Sequence, residues 1–182
     1  MRIIAGKYGS LKLQMVDSAL TRETSDKVRG AVLNSLSYQV KNSTVLDLFS
    51  GTGSYGLESL SRGAKTVYFV DKQPKAIQTI NANIKSLKVS EETHVIQSDY
   101  DEALKSFKSQ SIKFDVIILD PPYAFGSYET LLNDLSDLLN EAGVIACEVH
   151  KQTLIDEQAL TRLSAQKEKV YGIKKIIYYE PK

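Results

Sequence analysis

The chain has 182 residues, 42% hydrophobic and 25% charged, with 23 Lys and Arg against 22 Asp and Glu. That balance suits one globular α/β-sized domain and excludes a disordered or collagen-like chain. The single cysteine, Cys147, excludes a disulfide framework or a cysteine metal cluster within the chain. No apolar run approaches the roughly 18–20 residues that span a bilayer, and Met1-Arg2-Ile3-Ile4-Ala5-Gly6-Lys7 lacks the apolar core of a secretory signal, so a cytoplasmic protein is expected.

The net charge of +1 is unevenly spread. Residues 1–41 hold seven basic side chains against three acidic ones, whereas the remainder holds sixteen against nineteen. A basic lobe beside a neutral-to-acidic body suits an enzyme that grips a phosphate backbone, and suits an ordinary solvated surface equally well.

In chain order, Ile3-Ile4 and Leu11-Lys12-Leu13, separated by Gly6 and Gly9, predict a short hairpin. Thr24-Ser25-Asp26 offers cap chemistry for a helix over 26–38, in which Val28, Val32, Leu33 and Leu36 recur at helical spacing. From residue 43 strands and helices alternate. Strands are expected at 44–49, 66–70, 93–96, 114–119 and 144–149, the first an almost continuous apolar run as in a strand buried on both faces. Helices are expected near 54–62, from Pro74 to about Leu87, near 101–107, and near 127–139 with Gly143 as punctuation. Segments 167–171 and 174–179 pair across Gly172 as a terminal hairpin. The sequence therefore predicts an α/β fold with a mostly parallel, doubly wound sheet and right-handed crossovers. Residues 1–41 read as an appendage and 42–182 as the core, within one domain.

Gly51-Thr52-Gly53-Ser54-Tyr55-Gly56 fits G-x-G-x-x-G between a strand and a helix, and Asp71 ends the next strand twenty residues after Gly51. Such a turn lets backbone N–H groups approach a ligand while the carboxylate accepts ribose hydroxyls, a layout shared by several nucleotide-type cofactors including NAD. Asp47, four residues before Gly51, would sit badly beside a pyrophosphate and well beside the cationic methionyl end of S-adenosylmethionine. A cap or loop hydrogen bond is the plainer role for it. Asp99, after the third strand, is placed to reach an adenine amino group. S-adenosylmethionine is the favoured cofactor. Its expected contacts are Asp47, Phe49, Ser50, Gly51, Thr52, Gly53, Gly56, Asp71, Lys72, Asp99, Tyr100 and Asp120.

Asp120-Pro121-Pro122-Tyr123 ends the fourth strand, at the crevice where open α/β sheets bind ligands. Exocyclic amines of bases are poor nucleophiles because the lone pair is delocalised into the ring. Hydrogen bonds from the amine to the Asp120 carboxylate and the Pro121 carbonyl would favour a pyramidal nitrogen and stabilise the charge that develops on it. Pro121 and Pro122 fix φ, and Tyr123 offers a stacking surface for an extruded base. The bland alternative is a strand terminator with a core tyrosine. His94 and His150 have no partner at ligand spacing, so no metal is expected, and Cys147 reads as core packing.

These stretches together resemble the RsmD family of small-subunit ribosomal RNA guanine-N2 methyltransferases over nearly the whole chain. The resemblance rests on Arg2-Ile3-Ile4-Ala5-Gly6, Thr21-Arg22 with Thr24 to Arg29, Asp47 to Gly53, Gly56 to Gly63, and Asp120-Pro121-Pro122-Tyr123. It implies N2-methylguanine in 16S rRNA as product and a seven-stranded Rossmann-like sheet with a reversed terminal hairpin. Asn83 also matches a family position. Gly9-Ser10 and Arg22-Glu23-Thr24-Ser25 depart from the family's Gly-Arg and Arg-Pro-Thr-Thr, and both lower the positive charge of the lobe. Arg2, Lys7, Arg22, Lys27 and Arg29 are the expected phosphate contacts. Ribosomal RNA or an assembling small subunit is the expected partner, and a monomer the expected state. Adenine N6, a protein glutamine amide, and a non-catalytic RNA-binding role stand as alternatives.

Overall fold

A computed structural model describes residues 1–16, 25–122 and 124–182. Strands β1 (Thr44–Leu48), β2 (Thr66–Asp71), β3 (Thr93–Gln97), β4 (Phe114–Leu119), β5 (Leu139–His150), β6 (Leu163–Tyr171) and β7 (Lys174–Pro181) form one sheet. Their order is β3-β2-β1-β4-β5-β7-β6. All neighbours from β3 to β5 are parallel, and β7 slots antiparallel between β5 and β6. Helices α1 (Asp26–Ser35), α2 (Ser37–Val40), α3 (Ser54–Ser61), α4 (Pro74–Leu87), α5 (Tyr100–Ser109) and α6 (Tyr128–Ser136) cover its faces. The doubly wound sheet with its reversed terminal hairpin is the fold expected. No helix among the described residues is long and apolar enough to cross a membrane.

Alternation along the strands divides the core. Val45, Val116, Ile118, Val144 and Ala146 face one side with Tyr55, Leu57, Ile80 and α1, while Leu46, Leu48, Ile117, Leu119, Ile145 and Cys147 face the other with α5 and α6. Both faces are covered, which is why β1 and β4 are apolar almost without interruption. On α4 the buried positions Ala76, Ile80, Asn83, Ile84 and Leu87 fall on one helical stripe, and Pro74 occupies the first turn, where its missing N–H costs nothing.

Four boundaries in particular differ from expectation. The first helix stops at Ser35, and α2 follows a kink at Leu36. Helix α6 ends at Ser136 rather than 139, and β5 begins at Leu139 and runs through Gly143. The cause is tertiary: Phe114 N–H donates to Leu138 O at 2.8 Å and Phe114 pairs with Leu139, with an irregularity before Val116. Pairing to β4 thus takes the chain out of helix earlier than local preference indicates. Likewise β6 begins at Leu163, four residues before the visible alternation.

Segment 1–13 folds back on itself, with Arg2 bridging Lys12 and Ile3 N–H donating to Leu11 O at 2.9 Å. It is stitched to α3. The fully buried carboxylate of Glu58 accepts from Ile4 N–H at 2.7 Å, Ala5 N–H at 3.0 Å and Arg62 Nε at 2.9 Å, with Arg29 Nε at 3.8 Å. Tyr8 N–H reaches Ser61 Oγ at 2.9 Å, and a Cβ on Gly6 would lie 1.9 Å from Ser61 O.

Two stability outcomes follow from α3. Alanine at a helical glycine ordinarily stabilises by about 0.5–1 kcal/mol, but a Cβ at Gly56 would stand 2.3 Å from Phe69 Cε1 and 2.8 Å from Val67 Cγ1. Gly56→Ala is expected to destabilise by roughly 1–3 kcal/mol in a denaturant titration, and a neutral or stabilising result would contradict this packing. Glu58→Ala leaves the buried Arg29 with Asp26 as its remaining carboxylate and strips the acceptor from Ile4 N–H, Ala5 N–H and Arg62, and is expected to cost roughly 3–5 kcal/mol, read the same way.

Candidate active site

The glycine turn begins where β1 ends. Phe49, Gly51 and Gly53 all take left-handed φ, at 67°, 54° and 76°. Phe49 is not a glycine, so its conformation is imposed by its surroundings. Those surroundings are the end of β2. Ser50 N–H donates to Val70 O at 3.0 Å, Val70 N–H donates to Ser50 Oγ at 2.9 Å, and Ser50 Oγ–H reaches Asp47 O at 2.6 Å. Gly51 N–H then donates to Asp71 Oδ2 at 2.9 Å, while Asp71 Oδ1 accepts from Gln73 N–H at 2.9 Å. Asp71 therefore fixes the turn and the entry to α4 together. A carboxylate has about four acceptor sites, so two backbone bonds leave capacity for ribose hydroxyls.

Asp47 is 2% exposed and accepts from Gly56 N–H at 2.9 Å, capping the first turn of α3. It thus fills the plainer cap role. Burial pushes its carboxyl up to about 8; the Gly56 N–H acts the other way, and the neighbouring charges of Asp120 and Asp71 push it further up. Three carboxylates at the ends of β1, β2 and β4 create a site that calls for a cation.

Asn83, on α4, is 1% exposed and holds both the turn and the N-terminal segment. Its Oδ1 accepts from Gln14 N–H at 2.8 Å, and its Nδ2 donates to Gln14 O at 3.1 Å and to Thr52 O at 3.2 Å. Asp99 is exposed beside Lys72, with Nζ to Oδ1 at 3.7 Å. Tyr100 joins Phe49, Phe125 and Tyr128 in an aromatic cluster with ring centroids 5.2–5.7 Å apart. The loop that carries Phe125 is closed by its N–H donating to Pro122 O at 2.9 Å.

Asp120 follows β4, half-buried, with Pro121 buried and Pro122 exposed; Tyr123 lies outside the described residues. Sequence reasoning missed what lies beside Asp120. Tyr55 and Glu148 are 4% and 3% exposed, Tyr55 O–H reaches Glu148 Oε2 at 3.2 Å, and Lys174 Nζ pairs with Glu148 Oε1. The available signal was a lone charged residue in the apolar run Val144–Val149. Burial pushes the Tyr55 hydroxyl well up, with the Glu148 and Asp120 charges adding to the effect.

In the basic lobe Arg2, Lys7 and Lys27 are exposed, and Arg22 lies outside the described residues. Arg29 corrects the expectation. It is fully buried, donates to Arg2 O and to Asp26 Oδ1 at 2.9 Å, and faces Glu58, so it presents no surface to a phosphate and instead braces α1 against α3. A surface depression lined by Arg2, Ile4, Ser10, Asp26 and Lys27 lies on the same lobe. Cys147 is fully buried in β5, and no group of three metal-ligating side chains occurs among the described residues.

Residues 1–180 match the family described as "Conserved hypothetical protein 95". The Haemophilus influenzae "Ribosomal RNA small subunit methyltransferase D" is 36% identical over 177 residues, covering 95% of this chain and 90% of that protein. The Escherichia coli K12 protein of the same name is 31% identical over 137 residues, covering 75% and 67%. A solved structure of a hypothetical protein from Thermus thermophilus, 25% identical, superposes with a TM-score of 0.84 over 99% of both chains. The chain belongs to the Conserved hypothetical protein 95 family, which is the RsmD family of the resemblance.

Proposed function

We propose that the chain is an S-adenosylmethionine-dependent methyltransferase acting on small-subunit ribosomal RNA, with the exocyclic N2 amine of a guanine as acceptor. The observation that carries this reading is the placement of Asp120, directly after Leu119 of β4, beside the end of β1 that carries the buried Asp47. A pyrophosphate beside these carboxylates would be repelled, whereas a sulfonium or ammonium is welcomed, so the donor set fits S-adenosylmethionine better than NAD. The names of the relatives support ribosomal RNA as substrate, and the family resemblance supports guanine N2.

When bound, S-adenosylmethionine supplies an electrophilic methyl group. The chain's own residues do the rest. The backbone N–H groups of the Gly51–Gly53 turn and the Asp71 carboxylate would hold the cofactor, with Asp47 beside its cationic end. Asp120 and the Pro121 carbonyl would accept the two amine N–H bonds, directing the nitrogen lone pair at the methyl and stabilising positive charge as it grows. Asp120 can then take the departing proton, although water suffices once methylation has raised N–H acidity. Tyr123 would stack on the base, and Arg2, Lys7, Arg22 and Lys27 would meet RNA phosphates. Orientation by these groups is the main source of acceleration.

Asp120→Ala is expected to lower kcat by about 100-fold or more, a loss well beyond any weakening of S-adenosylmethionine binding read by calorimetry. The assay is methyl incorporation into small-subunit rRNA from cells lacking the gene, followed by nucleoside mass spectrometry. Activity within tenfold of the unaltered protein would discard the role of Asp120, and a product other than N2-methylguanine would discard the acceptor.

Asp47 gives a second test. With its carboxyl raised to about 8 in the fold and 3.8 as its ordinary value, it is largely protonated near neutrality, and the stability tied to its protonated form declines as pH rises from 3.8 and is lost above about 8. A cation bound beside it favours the ionised form. Cofactor binding near neutrality should therefore release a proton, and affinity should rise from roughly pH 6 to pH 8. Calorimetry in buffers of different ionisation enthalpy reads both, and Asp47→Asn should abolish the proton release. A release equal in both proteins would remove Asp47 from the cationic contact.

A further inference from the structure

The polar group buried beside Asp120 is not needed by any step above. Leu119 of β4 pairs in parallel register with Cys147 of β5, so the residues that follow each, Asp120 and Glu148, leave neighbouring strands toward the same face. That face is the one carrying Tyr55, whose hydroxyl donates to Glu148 Oε2 at 3.2 Å. Lys174, from the antiparallel β7, pairs with Glu148 Oε1 and is itself only 13% exposed. A buried carboxylate with a buried ammonium is a weak device for stability, since desolvation cancels most of the attraction. Three elements nonetheless converge to hold Glu148 there.

We propose that Tyr55, Glu148 and Lys174 form a positioning triad that sets the strength of Asp120 as a hydrogen-bond acceptor for the substrate amine. The inference rests on the functional reading of Asp120 and deepens it. A second carboxylate beside Asp120 raises its affinity for a proton and so for a developing N–H⁺. Lys174 limits that effect by neutralising Glu148, and Tyr55 fixes the carboxylate in place. Because Tyr55 is the second residue of α3, immediately after the Gly53 turn, the same hydroxyl ties that helix to β5, the strand paired with the one that ends at Asp120. The other titratable groups that face this neighbourhood are Asp47 from β1, Arg29 from α1 acting on Tyr55, and Cys147 from β5 and Tyr128 from α6, both of which burial keeps neutral. Glu148 and Lys174 carry opposite charges at the same place, so removing one member perturbs Asp120 in the opposite direction from removing the other.

Carbon-13 carboxyl NMR titration of the full-length, cofactor-free protein follows Asp120 directly. Glu148→Gln removes the repelling charge and leaves the lysine, and the Asp120 midpoint is expected to fall by about one pH unit. Lys174→Met removes the cation, and the titration of the Asp120–Glu148 pair is expected to rise. In the methyl-incorporation assay Glu148→Gln should lose roughly tenfold in kcat with RNA KM held, and the acidic limb of the pH–rate profile should move down with the midpoint. Tyr55→Phe keeps every charge and packs the same ring, so it reports on the triad even if Glu148→Gln does not fold; it should lower kcat with cofactor affinity unchanged. Midpoints that stay put, or that move the same way in both charge variants, overturn the proposal. Opposed shifts in a protein that methylates no RNA would leave the triad standing and refute the functional reading instead.

Discussion

A carboxylate at the middle of one short helix joins the two halves of this molecule. All eight residues of α3 are buried, and Glu58 is buried completely. An isolated buried anion is prohibitively costly, so its position is sustained only by the ring of donors around it: two backbone N–H groups of the N-terminal segment and the side chains of Arg62 and Arg29. The dependence is mutual. Arg29 is also fully buried, and two of its nitrogens, Nε and Nη1, make no hydrogen bond, so the carboxylates of Asp26 and Glu58 together make its burial tolerable. Residues 1–13 therefore belong to the core electrostatically even though their outer side is exposed.

The same helix sets the site. Its N-terminus emerges from a turn in which Phe49, Gly51 and Gly53 are left-handed, and Gly56 lets it lie directly on Phe69 and Val67 of β2. Asp47 caps it from β1, Tyr55 links it to β5, and Ser61 anchors the hairpin at its far end. The consequence is that the glycine turn, β5 and the basic lobe are held at fixed relative positions by one rigid piece, which is what the proposed positional catalysis requires.

Much of this was legible in the sequence, and the reasons for the rest are physical. The apolar runs of β1 and β4, Pro74 at the start of α4 and the glycine turn each carry a local signature that tertiary structure had no cause to override. The end of α6 did not, because Leu139 is drawn into β5 by pairing with Phe114, twenty-five residues away. Arg29 looked like a solvated cation on a helix surface, because the carboxylate it meets comes from residue 58 and no short-range pattern announces it. Glu148 was visible as an oddity in an apolar strand, but its partners come from α3 and β7. Local chemistry reads well from sequence; pairings between distant elements do not.

Asn83 shows how far that pairing reaches. A single amide, buried on α4, satisfies both backbone groups of Gln14 in the manner of a neighbouring strand and gives its remaining N–H to Thr52 in the glycine turn. Thr52 in turn meets Met1 through its hydroxyl, at 3.6 Å from the sulfur. The segment that leads from the basic lobe toward residues 17–24 thus lies directly against the turn. Neither can shift without breaking hydrogen bonds whose buried donors and acceptors would then be left unsatisfied. Within 182 residues there is little room to insulate the basic lobe from the glycine turn. Here the two share atoms, so the conformation of one is a condition on the other.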